Sequence, residues 1–447
     1  MDFGNLPQDA TDDFRPFVVD TPQTDIDALK TLLRLSKVGP KTYENSLPDG
    51  RLGLQLEWLQ QAVKQWSGNF DWLCDWLEAG FTLQRQNSWS LLDRRKSEEH
   101  INSFPNYISS IRDDDGRNYD IHFTALFSKN QDAVPILLLH GWPGSFLEFL
   151  PILEKLRHEY NPETLPYHLI VPSLPGYGFS SAPPPDQDMR LEDAARLLDK
   201  MMVLLGFGNQ GYVVQGGDVG SKVARVIAAE HDNCKGTALA PVSKGSRLTL
   251  GFPSAIHINF CIMPEPAEDQ IDKRIPVSQA EEEGLHRTEW FKRTGSAYAL
   301  EHATRPSTIG FALGSSPISL LAWIAEKFLE WTDEDPPIDL ILESVTLYWL
   351  TDSASTSLWP YRQLFTPGVI GAHENPGWRI PDHKPFGFSW FPMELAPIPQ
   401  AWAATTGKLS FYRQHDKGGH FAAVEKPDEL WNDISEFVDQ AWNKSTT

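Results

Sequence analysis

The chain has 447 residues, of which 41% are hydrophobic, and its formal net charge at pH 7 is −21. This length has room for two or three domains and for a large core that needs neither metals nor disulfides. So acidic a chain repels phosphate backbones and anionic membranes, and we expect neither as a partner. Cys74, Cys234 and Cys261 form neither a disulfide framework nor a zinc-binding pattern.

The N-terminal stretch MDFGNLPQDATDDFRPF is acidic and polar, which is not typical of a signal peptide. No apolar run approaches the roughly 18 residues that a membrane-spanning helix needs. We therefore expect a soluble, cytoplasmic protein. Residues 1–112 are expected to form a first domain, in which DIDALKTLLRLSK and LEWLQQAVKQWSGNFDWLCDWLEAGF have helical spacing.

A mostly parallel sheet is predicted after residue 112. Asp115-Gly116 is a turn signal between two strand-like runs and predicts a hairpin. Three continuous apolar runs then alternate with helical segments, which is typical of a parallel sheet covered on both faces: AVPILLLHG, YHLIVPSLPGYG and GYVVQGGDVG.

The strand signal fades between about residues 250 and 367, where ISLLAWIAEKFLEW and LILESVTLYWL predict helices. KPFGFSWF and GKLSFYRQH then return as strands, and PDELWNDISEFVDQAWNK closes the chain as a helix. We therefore predict an α/β class, with the first part of the core at 113–254, a helical cap at 255–367 and the second part of the core at 368–447.

The stretch GGDVG follows an apolar strand and precedes a helix, and it places Asp218 between small residues. Small residues on both sides are typical of a nucleophile elbow, because the central residue sits on a strained turn with the helix packed close behind. An alternative is that Asp218 only caps the following helix.

Three other loops follow predicted strands and carry polar residues, and such loops meet at the carboxyl edge of a parallel sheet. His420 lies in GGHFA, and Glu394 in FPMEL can orient its imidazole. The strand after the nucleophile's helix is predicted to be GTALAPV, and no acid lies between 232 and 265 to take that role. The backbone N–H groups of Trp142, in HGWPGS, and Val219 are predicted to form an oxyanion hole.

An aspartate at the elbow suits attack on saturated carbon, because its ordinary pKa of about 3.9 leaves it ionised. The product is an ester, which water activated by His420 then hydrolyses. The substrate is then an epoxide or an alkyl halide. A halide often leaves beside a tryptophan that follows the nucleophile, where this chain has Val219. An epoxide oxygen needs an acid, which Tyr298 and Tyr361 could supply, although spacing does not select them from eleven tyrosines.

Several segments together resemble the epoxide hydrolases of the microsomal type, particularly their soluble fungal members. These segments are LLLHGWPGSFLEFLPIL, VPSLPGYGFSSAP, VVQGGDVGS, TRPSTIGFALGSSPISLLAWIAEKF, GFSWFPMEL and GGHFAAVEKPDEL. The likeness runs from about residue 15 to the C-terminus. It implies an α/β-hydrolase fold with a helical cap and an N-terminal domain of the same family.

The resemblance also implies roles for particular residues. Asp218 would be the nucleophile, His420 the base and Glu394 its partner, while Tyr298 and Tyr361 would activate the epoxide. The Trp142–Pro143 bond would be cis, and Trp142 and Val219 would supply the oxyanion hole. No cofactor or metal is implied, and a homodimer is expected.

Three alternatives remain open from the residues. The chain could be a haloalkane dehalogenase-like hydrolase, a biosynthetic enzyme in which an intramolecular hydroxyl opens the ring, or a binding protein that has lost its chemistry. The sequence does not give the physiological substrate, the selectivity, or the choice between detoxification and biosynthesis.

Overall fold

The computed structural model describes residues 2–11, 13–68, 70, 72, 97–231, 255–364 and 372–443. Within them the chain forms a nine-stranded sheet flanked by helices. The strands are β1 (Phe14–Pro16), β2 (Asn106–Arg112), β3 (Asn118–Leu126), β4 (Val134–Leu139), β5 (Tyr167–Pro172), β6 (Val213–Gly216), β7 (Ala255–Ile258), β8 (Phe386–Trp390) and β9 (Leu409–Gln414).

The α-helices are α1 (Gln23–Leu35), α2 (Leu56–Gly68), α3 (Ser97–Asn102), α4 (Leu150–Glu159), α5 (Leu191–Met202), α6 (Asp218–Glu230), α7 (Gln279–Trp290), α8 (Ala297–Thr304), α9 (Pro306–Gly314), α10 (Pro317–Trp331), α11 (Ile338–Leu350), α12 (Ser353–Thr356), α13 (Pro360–Leu364), α14 (Gln400–Ala403), α15 (Ala422–Glu425) and α16 (Pro427–Asn443). Helices α7–α13 lie between β7 and β8 in the chain, and we call this segment the cap.

The strand order in the sheet is β1-β2-β3-β5-β4-β6-β7-β8-β9. Strands β1, β2, β3 and β5 pair antiparallel, and all pairs from β5 to β9 are parallel. The predicted α/β-hydrolase fold is therefore confirmed. Its parallel part brings the carboxyl ends of β4, β6, β7 and β8 to one edge.

Alternate residues of the parallel strands enter two different hydrophobic clusters, because successive side chains of a strand point to opposite faces. Leu137 and Leu139 of β4 pack in the cluster that contains residues of α5 and α6. Ile136 and Leu138 pack in the cluster that contains residues of α4 and α16. Both faces of β4 are thus buried, as its continuous apolar sequence predicts.

The structure confirms the predicted hairpin, whose strands β2 and β3 pair in register across a turn with Gly116 at φ 83°. It also adds a strand: β7 pairs with β6 and fills the place next to the strand that leads to Asp218. Residues 255–258, which the predicted bounds put at the start of the cap, therefore belong to the sheet. The run GTALAPV at 236–242, predicted as that strand, lies outside the described residues, as does the part of the tryptophan-rich helix beyond 72.

In the part of the chain that the structure describes, no single helix has both the length and the apolar composition to cross a bilayer. One pair of helices, α9 with α10, meets those two criteria together and bends by 114° between its members.

Candidate active site

Asp218 lies at a sharp turn between β6 and α6, with a left-handed φ of 44°. Such a backbone conformation is strained for a residue with a side chain. Two glycines let the turn close: a side chain on Gly216 would collide with the carbonyl of Gly220, and one on Gly220 would collide with the carbonyl of Leu139. The pattern of small residues in GGDVG therefore has the steric cause that the sequence suggests.

The loop after β4 approaches Asp218 from the neighbouring strand. The backbone N–H of Trp142 donates to Asp218 Oδ1 over 2.8 Å, and the Trp142–Pro143 bond is cis. Val219 follows Asp218 in the first turn of α6, where backbone N–H groups lack partners within the helix. Of the two predicted donors, the Trp142 N–H therefore contacts the carboxylate, and the Val219 N–H lies next to Asp218 in the chain.

His420 is buried between two carboxylates. Its Nε2 lies 3.4 Å from Asp218 Oδ2, and its Nδ1 lies 2.5 Å from Glu394 Oε1. The loops that carry Glu394 and His420 are joined by a parallel bridge between Met393 and Gly419. The structure therefore brings the three predicted triad residues into one line, Glu394 to His420 to Asp218.

The charges in this line shift the pKa values of its members. Burial by itself disfavours the imidazolium, but the carboxylates of Glu394 and Asp218 outweigh burial and raise the pKa of His420 to about 10. Burial also opposes ionisation of Asp218, yet His420, the Lys222 charge and the Trp142 N–H together hold the pKa of Asp218 below its usual value. Both shifts favour an ion pair between Asp218 and His420, whose Oδ2 and Nε2 atoms lie 3.4 Å apart.

The two predicted tyrosines meet above this line, although they lie 63 positions apart in the chain. Tyr298 begins α8 and Tyr361 lies on α13, and their ring centroids are 5.7 Å apart. The indole of Trp142 stacks on Tyr298 at 5.2 Å and meets the edge of Tyr361 at 5.7 Å. Burial, with a contribution from the Asp218 charge, raises the pKa of both phenols well above the usual value, so both keep their protons at neutral pH.

The Tyr361 hydroxyl is buried, and it interacts with the Tyr298 hydroxyl, since each of the two affects the pKa of the other. The site therefore holds two neighbouring phenolic donors beside the elbow.

Sequence reasoning missed several residues that shape the site. The backbone N–H of His420 donates a hydrogen bond to the backbone oxygen of Trp331 over 2.9 Å. The centroids of the Trp331 ring and the His420 imidazole lie 5.1 Å apart. Arg287 donates to the backbone oxygens of Met393 and Glu394 over 2.9 and 2.7 Å. These partners lie 89 and more than 100 positions apart in the chain, so no local pattern could have found them.

Asn259 occupies the position just after β7, where some hydrolases of this architecture carry the acid. Its Oδ1 accepts a hydrogen bond from Gln215 over 2.8 Å. With an amide at that place, Glu394 is the carboxylate that contacts His420 Nδ1. Among the described residues, no group of three or more His, Cys, Asp or Glu side chains is arranged to hold a metal ion.

Comparison with known families matches two parts of the chain. The family described as the epoxide hydrolase N terminus matches residues 14–149, and the alpha/beta hydrolase fold matches residues 134–245. The two matches overlap at β4 and the HGWPG loop. The N-terminal match therefore continues directly into the sheet that carries the elbow.

Full-length relatives extend this likeness. A putative epoxide hydrolase of Dothistroma septosporum is 40% identical over 446 residues, covering 99% of this chain and 94% of that protein. Epoxide hydrolase 1 of Sus scrofa is 29% identical over 473 residues, covering 97% and 91%. The structure of Aspergillus niger epoxide hydrolase is 47% identical with a TM-score of 0.83, covering 98% of this chain and all of the other.

Proposed function

The chain belongs to the epoxide hydrolase family, and from that premise we propose that it opens epoxides to vicinal diols through an ester on Asp218. The observation that carries the proposal is the elbow carboxylate itself. Asp218 Oδ1 is held by the Trp142 N–H, while Oδ2 faces His420. An ionised oxygen poised at a strained turn is a nucleophile that needs no base for attack on saturated carbon.

In the first step Asp218 Oδ2 forms a bond to a ring carbon, and the carbon–oxygen bond of the epoxide breaks with its electron pair on oxygen. Tyr298 or Tyr361 gives its phenolic proton to that oxygen, and the other hydroxyl donates a hydrogen bond. The products are a hydroxyalkyl ester and a tyrosinate. The placement of the two phenols supports this role, because their ring centroids lie 5.7 Å apart and both rings contact Trp142.

In the second step a water oxygen attacks Asp218 Cγ and one water proton passes to His420 Nε2. The Trp142 and Val219 N–H groups stabilise the oxyanion on Oδ1. The bond from Cγ to the alkyl oxygen then breaks, and His420 returns its proton to that oxygen to release the diol. The second water proton, left on the Asp218 carboxyl, then passes to His420, which restores the ion pair of the starting state.

The ion pair of the free enzyme explains the timing of the base. Forming the ester removes the negative charge of Asp218, which is one of the causes that raise the pKa of His420. The pKa of His420 falls as a result, its imidazolium proton passes to the tyrosinate, and neutral imidazole becomes available to accept a proton from water. Formation of the ester thus produces the neutral imidazole that hydrolysis of the ester requires.

The test is to trap the ester. We expect His420→Gln protein mixed with styrene oxide, or with a linear terminal epoxide, to gain the mass of one epoxide on the peptide that contains Asp218. Wild-type protein should release diol from the same epoxides, and Asp218→Ala should do neither. Absence of the adduct together with diol release by folded Asp218→Ala protein would overturn the mechanism.

Two further predictions concern the whole protein. The homodimer follows from the resemblance, and a soluble, cytoplasmic location stays a prediction. Light scattering of the purified chain should give twice the mass of one chain. A single-chain mass would contradict the dimer and leave the proposed chemistry untouched.

A further inference from the structure

A small cavity lies beside Asp218, on the side of the elbow that faces the loop after β4. Its volume is about 10 Å³, which is enough for about one water molecule. The side chains of Glu148, Asp218, Asn259 and His420 line it, together with apolar groups. A water in this space would border both the carboxyl that carries the ester and the base.

Glu148 enters this cavity because the loop before it lacks a side chain. Glu148 lies in the single helical turn Phe146–Phe149, and its carboxyl fills the place where a side chain on Gly144 would stand. The residue is partly buried, and it lines this cavity. Glu148 is therefore fixed against the HGWPG loop with its carboxyl at the cavity.

A hydrolytic water needs more than a base. His420 Nε2 can take one proton, but a water held by one hydrogen bond can still rotate, and its oxygen is not directed at Asp218 Cγ. His420 cannot supply a second contact, because its Nδ1 is engaged by Glu394. Asn259 already accepts one hydrogen bond from Gln215 at its amide oxygen, and its NH2 group offers donors only.

We propose that this cavity binds the hydrolytic water and that Glu148 accepts a hydrogen bond from it, so that the water oxygen faces Asp218 Cγ. The inference rests on the proposed covalent function. In the hydrolysis step the new bond joins the water oxygen to Cγ, one proton goes to His420 Nε2, and Glu148 neither gains nor loses a proton. Glu148 acts only by orienting the reacting water.

The ionisation of Glu148 agrees with this role. Burial, together with the charge of Asp218, raises the pKa of Glu148 to about 8, against the opposing charge of His420. A carboxyl that is largely neutral still accepts a hydrogen bond through its carbonyl oxygen. A glutamine amide at position 148 offers the same carbonyl, whereas a methionine of similar size offers no comparable acceptor.

The pair Glu148→Gln and Glu148→Met therefore separates hydrogen bonding from packing. Rapid quenching followed by mass spectrometry of the Asp218 peptide gives the rates at which the ester forms and disappears. We expect Glu148→Met to slow ester hydrolysis by about 100-fold while ester formation stays within about threefold of wild type, since only the second step uses the water. Glu148→Gln should keep hydrolysis within about tenfold of wild type.

Glu343→Gln is the matched control, because burial also raises the pKa of Glu343, to about 7, at a place on α11 that does not line the cavity. It should leave both rates unchanged. If Glu148→Met does not fold, Glu148→Ala takes its place with the same expectation. Equal slowing of both steps, or unchanged hydrolysis in a folded apolar variant, would overturn the inference. A His420→Gln protein that never gains the ester would instead overturn the proposed function.

Discussion

Asp218, Glu394 and His420 lie on loops that leave the sheet, whereas Tyr298 and Tyr361 lie on short helices of the cap. The three sheet loops are fixed by backbone pairing between neighbouring strands and by the bridge between Met393 and Gly419. The two tyrosines are fixed by aromatic packing, with Trp142 in contact with both. In the proposed mechanism, the residues of the core form and hydrolyse the ester, and the two tyrosines of the cap bind the epoxide oxygen.

This division of roles between core and cap is not complete, because the cap also holds the core loops. The backbone oxygen of Trp331, the last residue of α10, accepts a hydrogen bond from the backbone N–H of His420. The Asp333 carboxylate accepts one from the backbone N–H of Gly418 over 3.1 Å. Arg287 of α7 binds the backbone of the Glu394 loop. The cap therefore contacts both loops of the acid–base pair, and substitutions can separate its chemical role from its supporting role.

The largest effect is expected in the core, from Glu394→Gln. An amide cannot stabilise the imidazolium that forms during hydrolysis, so we expect turnover to fall by about 10³–10⁴-fold, with the ester accumulating on Asp218. The carboxylate of Glu394 is also the strongest of the causes that raise the pKa of His420, so that pKa should fall. Nuclear magnetic resonance of labelled histidine measures it directly.

The same substitution has a consequence for stability. A histidine whose pKa is raised on folding stabilises the fold fully below its unfolded value of about 6.5, and this contribution is lost as pH rises through about 10. Wild type should therefore lose stability between pH 7 and 10 more steeply than Glu394→Gln in urea titrations. Glu334→Gln, at an exposed carboxylate beside Lys417, should follow wild type in both measurements. A His420 pKa unchanged by Glu394→Gln would contradict the pairing.

A smaller effect is expected from the cap tyrosines taken singly. Tyr298→Phe or Tyr361→Phe should slow ester formation by about 10- to 100-fold, because one donor remains, and the double variant should lose more than about 10³-fold. The rate of ester hydrolysis should not change, in contrast to Glu394→Gln. Tyr412→Phe is the control, since that hydroxyl donates to Glu281 away from the site. Slowed hydrolysis in the single variants would show that the cap takes part in both steps.

The sequence predicts the core half of the site far better than the cap half. Asp218, Glu394 and His420 each follow an apolar strand, and parallel strands bring their carboxyl ends together whatever the length of chain between them. Tyr298 and Tyr361 have no such rule, because helices of an insertion can pack in many ways, and only the family resemblance selected them. Strand β7 was missed because AIHI is four residues long and contains a histidine.

The contacts of Glu148 and Arg287 illustrate what remains hidden in a sequence. Glu148 carries a weak local signal, since it is an acid in the otherwise apolar run SFLEFLPIL a few residues after a glycine. Arg287 carries none, because it is one of several charged residues on a polar helix. Its role exists only in the folded chain, where a guanidinium meets two backbone oxygens more than 100 positions away.

The smallest effect is expected from removing the hydrogen bonds that Arg287 of the cap donates to the loop that carries Glu394. Arg287→Met removes charge-assisted hydrogen bonds to Met393 and Glu394, which should cost about 1.5–3 kcal/mol of stability. If the cap orients the acid, ester hydrolysis should also slow by about tenfold with ester formation unchanged. Rates from rapid quenching and urea titration measure the two effects on the same protein.

Arg293→Met, at an exposed arginine beyond the end of α7, is the matched control and should change neither quantity. A loss of stability with normal hydrolysis would mean that the bridge between Met393 and Gly419 orients Glu394 without help from the cap. A loss of hydrolysis with little change in stability would mean that Arg287 is needed to orient Glu394. The loop that carries Glu394 would then keep its fold, but the Glu394 carboxylate would no longer be correctly oriented toward His420. Only slower hydrolysis at nearly unchanged stability would show that the cap orients the Glu394–His420 pair in addition to positioning the two tyrosines.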